Sequence, residues 1–177
     1  MDESPVKQGV IWTGSDDGKI HITKDGGTNW EDISIKDKSL PKYSQVYEIT
    51  PSPHDAATAY VVFSNFNTYN DYKPYIFKTT DYGQSWVNLS ANFPQTEITR
   101  TIREDKVRKG LLFAGTETGA YYSLNDGKNW HKLKVNLPAV PVVDMKIKDN
   151  DLVIATNGRG FWIMDDITPL REIGKRT

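Results

Sequence analysis

Aromatic rings alternate with amide and carboxylate side chains in one short stretch of the chain, residues 64–74, which reads SNFNTYNDYKP. Such a surface suits a sugar, because the sugar ring stacks on flat aromatic side chains while its hydroxyls hydrogen-bond to amides and carboxylates. The candidate ligand-binding residues of this stretch are Phe66, Tyr69, Asp71 and Tyr72. The three rings have a second interpretation, in which they pack the segment onto its neighbours, because a long loop needs a small core of its own.

Charged side chains elsewhere offer other chemistry. Arg159 lies between two glycines, where a short loop could present its guanidinium to a carboxylate ligand, although an ion pair that supports the loop is the simpler interpretation. Hydrolysis of a glycosidic bond would need two opposed carboxylates, and the available acids are Asp16, Asp17, Asp71 and Glu117. A site that grips a substrate carboxylate with three arginines could use Arg100, Arg103 and Arg159. The spacing of these arginines in the sequence does not indicate that they form one site. Glu117 and Arg159 are included among the candidate ligand-binding residues.

One predicted strand carries two arginines, Arg100 and Arg103, on opposite faces. One of the two should therefore approach the interior of a sheet, where a charged side chain needs an acidic partner. The candidate partners are Glu104, Asp105 and Glu48.

Composition excludes several classes of chemistry. The chain has no cysteine, so it offers neither a disulfide nor a thiolate nucleophile. Its histidines, His21, His54 and His131, are scattered, and the acidic turn at residues 16–18 lacks calcium-loop spacing, so no metal is expected. Phosphate-loop patterns are missing, and no cofactor is expected. Because 22 basic residues balance 23 acidic ones, nothing predicts binding to nucleic acid or insertion in a membrane.

A recurring turn must position the candidate residues. It consists of a hydroxyl residue, an Asp or Asn, a glycine and a tryptophan, and its three copies are Thr23, Asp25, Gly27 and Trp30; Thr79, Asp81, Gly83 and Trp86; and Ser123, Asn125, Gly127 and Trp130. The hydroxyl and carboxylate groups can lock a tight turn through hydrogen bonds, the glycine supplies a positive φ, and the tryptophan pins the turn against the sheet. The motif is therefore interpreted as structural rather than catalytic.

Runs of β-branched, aromatic and apolar residues flank each turn and predict strands. In the first two copies these are residues 10–14, 19–23, 30–35, 59–64, 75–79 and 86–89. In the third copy and a partial fourth they are residues 111–116, 120–124, 130–135, 152–156 and 160–164. An inner strand is predicted ahead of each later copy, at residues 45–50, 97–103 and 142–148. None is predicted ahead of the first copy, because residues 1–8 contain Pro5 and little β pattern.

The tryptophans of the three turns lie 56 and then 44 positions apart, the period at which a four-stranded sheet is repeated around an axis. The predicted fold is all-β, a β-propeller fragment of about four four-stranded antiparallel blades. Residues 1–177 form one partial propeller, with approximate blades at residues 9–36, 44–90, 96–135 and 141–173. Because the strands amount to about three and three-quarter blades and a closed ring takes roughly four to eight, we interpret the chain as part of a larger propeller or as a half that closes by dimerisation.

The repeated turns resemble the Asp-box, also called the bacterial neuraminidase repeat. From Gly9 to Ile173 the chain is similar to the C-terminal part of a sortilin-like propeller, most specifically at residues 74–83, 109–119 and 158–166. These stretches resemble exported bacterial proteins grouped with glycosyl hydrolases or sortilin-type repeat proteins, which implies a longer parent that is secreted, periplasmic or on the cell surface. The chain departs from the pattern in lacking the cysteine-rich module of animal sortilins and in having Asn125 where aspartate is expected. Asp-boxes also occur in sialidases, xyloglucanases and non-catalytic receptors, so the resemblance identifies a fold better than a reaction.

The sequence favours a non-catalytic interaction or scaffold module of a larger exported bacterial protein. Its binding face is expected at four loops, residues 15–18, 64–74, 116–119 and 157–160, of which the second is the longest. The expected partners are a glycan, a peptide or a neighbouring domain, together with the remaining blades of the parent or a second copy of the chain. The alternative is part of a sialidase-like or xyloglucanase-like glycoside hydrolase, completed by missing blades. The signal peptide is expected outside this chain, since residues 1–10 are polar.

Overall fold

The computed structural model describes residues 1–134 and 136–173, and almost all of its regular structure is antiparallel β-sheet. The chain divides into two compact units, Met1–Thr99 and Arg100–Thr177. In every sheet the strands follow one another in chain order, so each sheet is a meander in which neighbouring strands are joined directly. No helix in the described part of the chain is long and apolar enough to cross a membrane.

The first sheet has a short inner strand that the sequence did not predict. Its strands are β1 (Asp2–Glu3), β2 (Ile11–Gly14), β3 (Ile20–Thr23) and β4 (Glu31–Asp32). The prediction that no strand precedes β2 is wrong, because Asp2 pairs with Trp12 and Glu3 with Ile11 in an antiparallel ladder. A strand of two charged residues shows no alternation of apolar and polar positions and therefore has no sequence signal of its own.

The second sheet contains the segment of alternating rings and amides. Its elements are β5 (Gln45–Pro51), β6 (Ala59–Asn65), β7 (Asp71–Thr79) and β8 (Val87–Asn88), with the single-turn helix α1 (Phe66–Tyr69) between β6 and β7. Asn65 pairs with Asp71, so both strands continue into the segment that was predicted as a loop at residues 64–74. The connection is thereby reduced to residues 66–70, and every residue of β6 is buried.

One hydrophobic core joins the two sheets of the first unit. Its largest fully buried side chains include Trp12, Ile20, Ile22, Phe63 and Phe77. Two glycines allow close approach within this unit. A Cβ atom on Gly14 would lie 2.4 Å from Cγ1 of Val46, and one on Gly83 would lie 2.4 Å from Cδ1 of Ile33. The sheets therefore meet at points where even a methyl group has no room.

The second unit holds two further sheets. The third sheet consists of β9 (Thr99–Glu104), β10 (Leu112–Thr116), β11 (Ala120–Ser123) and β12 (His131–Lys132). The fourth consists of β13 (Val142–Lys148), β14 (Asp151–Thr156) and β15 (Phe161–Met164), and the helix α2 (Thr168–Glu172) follows it. Among the described residues the fourth sheet has three strands and each of the others has four. The three strands of the fourth sheet correspond to those predicted, so the number of strands differs from the prediction in the first sheet, which has β1.

The outermost strands are shorter than predicted. They were expected at residues 30–35, 86–89 and 130–135, whereas β4, β8 and β12 contain two residues each, and Val135 lies outside the described residues. Ser34 shows the physical reason in the first sheet. Its backbone N and its Oγ donate to Oδ1 of Asp32 at 2.9 and 2.6 Å, and its Oγ accepts from the backbone N of Ile20 at 3.0 Å. A serine side chain competes in this way with the backbone ladder, and the strand ends.

A buried ion pair fastens α2 to the rest of the second unit. Nε and Nη2 of Arg171 donate to Oδ2 and Oδ1 of Asp105 at 2.9 and 2.8 Å, and the two side chains are 5% and 0% exposed. Nη1 of Arg171 donates to Oδ1 of Asn150 at 2.6 Å, and the Asp105 carboxylate also accepts from the backbone N of Arg108 at 2.7 Å. Both buried charges are therefore compensated by several hydrogen bonds, as buried ions require.

Candidate functional site

The repeated turns hold their polar groups in internal hydrogen bonds. In the first turn, Oγ1 of Thr23 accepts from the backbone N of Gly27 at 2.9 Å and donates to Oδ1 of Asp25 at 2.8 Å. The Asp25 carboxylate accepts from the backbone N and from Nδ2 of Asn29 at 2.9 and 2.7 Å. The hydroxyl-to-glycine and hydroxyl-to-Asp/Asn hydrogen bonds recur in the other two turns, at Thr79, Asp81 and Gly83 and at Ser123, Asn125 and Gly127. These groups are therefore engaged in hydrogen bonds within each turn.

The tryptophans of the three turns lie in different surroundings. Trp30 is 44% exposed, and its Nε1 donates to the carbonyl of Gly27 within its own turn at 3.1 Å. Nε1 of Trp86 donates instead to the carbonyl of Ile33, which follows the last strand of the first sheet, at 2.9 Å. Trp130 is 8% exposed. The tryptophans therefore differ in exposure, and the first two differ in the hydrogen bond that their Nε1 makes.

The first turn predicts a pH dependence of stability. The backbone N–H of Asn29, its side-chain amide and the Thr23 hydroxyl lower the pKa of Asp25 from 3.8 to about 2. Because the folded pKa is the lower one, ionised Asp25 stabilises the fold above pH 3.8, and this contribution is lost as the pH falls towards 2. The asparagine of the variant Asp25→Asn has no proton to gain or lose. The difference in Tm between wild type and this variant should therefore become smaller as the pH falls from 3.8 to about 2. Thermal denaturation followed by circular dichroism measures this difference.

The matched control for this prediction is Asp165→Asn. Asp165 is exposed and makes no hydrogen bond within residues 1–134 and 136–173, so its removal should change Tm little at any pH in the series. A gap between wild type and Asp25→Asn that stays constant down to pH 2 would contradict the assignment of the hydrogen bonds to the ionised carboxylate.

Three of the predicted ligand-binding side chains are exposed on one connection, which we call the aromatic loop (residues 65–75). Phe66, Tyr69 and Tyr72 are 39%, 50% and 49% exposed. The helical turn that carries the first two ends at Asn70, which has a left-handed φ of 53° and donates its backbone N–H to the carbonyl of Phe66 at 2.9 Å. The rings of Phe66 and Tyr72 pack edge to face with centroids 5.1 Å apart. Oη of Tyr69 donates to the carbonyl of Lys42 at 2.9 Å.

The fourth predicted residue of this loop, Asp71, is engaged with its neighbours. Its Oδ2 accepts from Oη of Tyr75 at 2.6 Å, and its Oδ1 accepts from the backbone N of Lys73 at 3.0 Å. Burial, followed by the hydrogen bond to Asp71 and the negative charge of that residue, raises the pKa of Tyr75, so Tyr75 keeps its proton and remains a donor. The nearby Asn65 amide lowers the pKa of Tyr75 slightly. By distance and angle, however, neither the N nor the O of this amide forms a hydrogen bond among the described residues. Asp71 thus supports the loop.

The other two predicted ligand-binding residues lie in the second unit. Glu117 is in the turn between β10 and β11, and its Oε1 accepts from Nε of Arg100 at 2.5 Å. Arg159 is in the turn between β14 and β15, where it is exposed and its carbonyl accepts from Nε1 of Trp162 at 3.2 Å. Within the described residues no carboxylate lies within 4 Å of the Arg159 guanidinium, so the supporting ion pair that the sequence suggested is not found there.

The arginines of β9 form ion pairs that the sequence analysis did not name. Arg100 pairs with Glu117, and Nη2 of Arg103 donates to Oδ1 of Asp144 at 2.6 Å. Asp105, one of the suggested partners, forms the bidentate pair with Arg171. These partners are separated by 17, 41 and 66 residues, so no local pattern could have indicated them.

Asp17, one of the acids near the predicted binding face, is kept ionised by its hydrogen-bond donors. The Ser15 hydroxyl and the backbone N–H of Lys19 lower the pKa of Asp17, the direction opposite to that of a general acid in glycoside hydrolysis. Across residues 1–134 and 136–173, no cluster of three or more His, Asp or Glu side chains has the arrangement of a metal site.

Sequence reasoning missed a cleft in the first unit, which we call the lysine cleft. Its volume is about 740 Å³, within the range typical of ligand sites, and its lining residues are 17–19, 34–38 and 40–44. It contains Lys19, Lys36, Lys38 and Lys42. The three lysines at positions 36, 38 and 42 lie in one irregular segment between β4 and β5, and this spacing is the signal that could have found them.

No protein-family model and no curated protein matches the chain, but solved structures do. YCF48 bound to D1 peptide is 18% identical, with a TM-score of 0.63 over 90% of this chain and 49% of that chain. The GH74 xyloglucanase of Xanthomonas campestris is 13% identical, with a TM-score of 0.68 over 91% of this chain and 28% of that chain. The extracellular domain of a putative one component system of B. thetaiotaomicron is 13% identical, with a TM-score of 0.65 over 92% and 20%. All three are β-propeller proteins. This chain has a β-propeller fold.

The β-propeller assignment confirms the predicted fold class, with sheets that act as blades of antiparallel strands. The chain spans about half the length of YCF48 and less than a third of the other two. At these identities the likeness concerns the fold, and the residues that bind or react have to be argued from the propeller's own surface.

Proposed function

We propose that this chain is a non-catalytic β-propeller binding module and that its ligand is a glycan held on the aromatic loop. The observation that carries the proposal is the exposure of three aromatic rings, Phe66, Tyr69 and Tyr72, within seven consecutive residues that span the connection and the start of β7. Asn67 and Asn70 are exposed on the same connection and supply amides for sugar hydroxyls. Rings for stacking and a few amides for orientation are the usual composition of a sugar site.

The aromatic loop is ordered before any ligand arrives. Phe66 packs on Tyr72, Tyr69 is hydrogen-bonded to the Lys42 carbonyl, and the Asp71 carboxylate ties the start of β7 to Tyr75. The proposal combines both interpretations of the rings, because the contacts that pack the loop leave about two-fifths to half of the surface of each of these residues exposed to solvent. A surface ordered in advance loses less conformational entropy on binding, which favours affinity.

The proposal extends to the family and the parent protein. The three turns are Asp-boxes, and residues 1–177 are one partial sortilin-like propeller with approximate blades at residues 9–36, 44–90, 96–135 and 141–173. The parent is a longer bacterial protein that is secreted, periplasmic or on the cell surface, and its remaining blades or a second copy of the chain are further partners. The likeness to a xyloglucanase and to an extracellular domain supports this part of the proposal.

A catalytic role has less support. Of the acids that a xyloglucanase-like pair could use, Asp71 holds Tyr75 and Glu117 holds Arg100, and the pKa of Asp17 is lowered. A general acid in glycoside hydrolysis needs a raised pKa. A peptide is the other ligand to consider, since YCF48 is a propeller bound to a peptide.

Tyr69→Ala and Phe66→Ala should each weaken glycan binding by about 2- to 13-fold, because an aromatic stacking contact contributes roughly 0.5–1.5 kcal/mol. The measurement is a glycan array followed by isothermal titration calorimetry with the strongest binder. The control is Phe161→Ala, which removes an even more exposed aromatic ring, 79% exposed, from β15 in the second unit and should leave affinity unchanged.

Circular dichroism and Tm separate loss of binding from loss of folding. A folded Tyr69→Ala variant with wild-type affinity would overturn the assignment of the site. A wild-type chain that binds no glycan on the array but binds a peptide library would overturn the choice of ligand and favour the peptide. Hydrolysis of a bound glycan by the purified chain would overturn the non-catalytic assignment.

A further inference from the structure

The lysine cleft has a surplus of positive charge. Four lysines line it against two aspartates, Asp17 and Asp37. Within the described residues, Lys36, Lys38 and Lys42 have no carboxylate within 4 Å, and all three are exposed. A concave surface with charge of one sign concentrates ligands of the opposite sign.

The two aspartates of the cleft are already committed to hydrogen bonds. Asp37 accepts from the backbone N of Ser39 at 2.7 Å, and Asp17 accepts from the Ser15 hydroxyl and lies 4.0 Å from Nζ of Lys19. The aspartates therefore stabilise the walls of the cleft and leave the lysines at positions 36, 38 and 42 available to an anion.

The cleft also has an apolar part. Leu40 and Pro41 line it half-buried, and Tyr43 lies beside them with 68% of its surface exposed. A ligand that fits this lining carries charge on some groups and a flat or apolar surface on others, as a sugar acid does.

The lysine cleft adjoins the aromatic loop. The hydrogen bond from Oη of Tyr69 ends on the carbonyl of Lys42, a residue of the cleft wall, and Tyr43 follows it directly. Both features belong to the first unit. A single extended ligand can therefore lie on the rings of the loop and reach the lysines of the cleft.

We propose that the glycan is an acidic polysaccharide, whose sugar rings stack on the aromatic loop while its carboxylates pair with Lys36, Lys38 and Lys42. This inference rests on the proposed function and names its ligand class. Lysines spread over a cleft act as separate point charges and suit carboxylates spaced along a chain, whereas a single phosphate is best held by the paired donors of an arginine.

The test compares polygalacturonate with fully methyl-esterified polygalacturonate, which has the same sugar backbone without the charge. By calorimetry the acidic polymer should bind at least tenfold more tightly, and its affinity should fall as salt is added. The triple variant Lys36→Gln/Lys38→Gln/Lys42→Gln should remove this difference while Tm is maintained. The control Lys7→Gln/Lys106→Gln/Lys146→Gln makes the same change in net charge at exposed positions outside the cleft and should keep the difference.

Each outcome separates the two proposals. Equal affinity for the two polymers would overturn the acidic ligand and leave the glycan site in place. A cleft variant that keeps the preference would overturn the pairing of the carboxylates with Lys36, Lys38 and Lys42. If neither polymer nor any array glycan binds, the proposed function itself fails. Poly-L-glutamate that binds as tightly as polygalacturonate, and competes with it, would overturn the inference in favour of an acidic peptide.

Discussion

Replacing Arg171 by methionine is expected to destabilise the second unit by about 3–5 kcal/mol, the cost of leaving a buried charge without its partner. The substitution removes both hydrogen bonds to the fully buried Asp105 carboxylate and the one to Asn150, while methionine still fills much of the space. Urea denaturation followed by circular dichroism measures the loss. No other change proposed for this chain is expected to have a larger effect on stability.

Two variants test the electrostatic explanation for Arg171. Asp105→Asn/Arg171→Met removes both charges but keeps an acceptor for the backbone N–H of Arg108, so it should be more stable than Arg171→Met alone. Lys148→Met breaks an ion pair with Asp149 whose side chains are 72% and 80% exposed, and it should change stability little. If the double variant is no more stable than the single one, lost packing and not the stranded carboxylate explains the effect.

Gly83→Ala is expected to destabilise the first unit by about 2–5 kcal/mol, because two costs add at one position. A non-glycine residue at its φ of +85° costs about 1–2 kcal/mol, and overpacking a core costs about 1–3 kcal/mol. The new methyl group would lie 2.4 Å from Cδ1 and 2.8 Å from Cβ of Ile33, and the second of these atoms cannot move without the backbone. The measurement is urea denaturation followed by tryptophan fluorescence, with Trp86 adjacent to the change.

Gly26→Ala is the matched control for Gly83→Ala. Gly26 has a φ of +73°, and a Cβ atom there would meet nothing within 4 Å, so this variant should show the backbone cost alone, about 1–2 kcal/mol. Equal losses in the two variants would contradict the claim that the sheets of the first unit are in contact at Gly83.

The strands around the repeated turns could be predicted because their signals are local. The runs that became β2, β3, β6 and β10 have ends within one residue of those predicted. The outermost strands could not be predicted, because what ends β4 is the hydrogen bond from Ile20 to Ser34, a contact between residues fourteen positions apart. The sequence pattern overestimated the length of a strand where a hydrogen bond from a distant segment ends it.

The candidate site was partly predictable for the same reason. The three rings of the aromatic loop stand out in composition, so a single segment was enough to indicate them. The engagement of Asp71 with Tyr75 and of Glu117 with Arg100 depends on how strands pair, and the hydrogen bond from Tyr69 to Lys42 joins residues 27 positions apart. The lysine cleft could not be predicted from the sequence, because its lining residues come from two segments, residues 17–19 and 34–44, that are brought together only by the fold.

The three turn tryptophans have different surroundings, and this affects how the sequences of the three copies can diverge. Trp30 is nearly half exposed and bonded only within its own turn, whereas Trp86 is bonded to a carbonyl of the neighbouring sheet and Trp130 is buried. A substitution at Trp30 therefore disturbs one turn, while a substitution at Trp86 disturbs a junction between two sheets. Copies that began alike are thus free to diverge at different rates at this position, and the tryptophan of the first turn is expected to tolerate replacement better than that of the second.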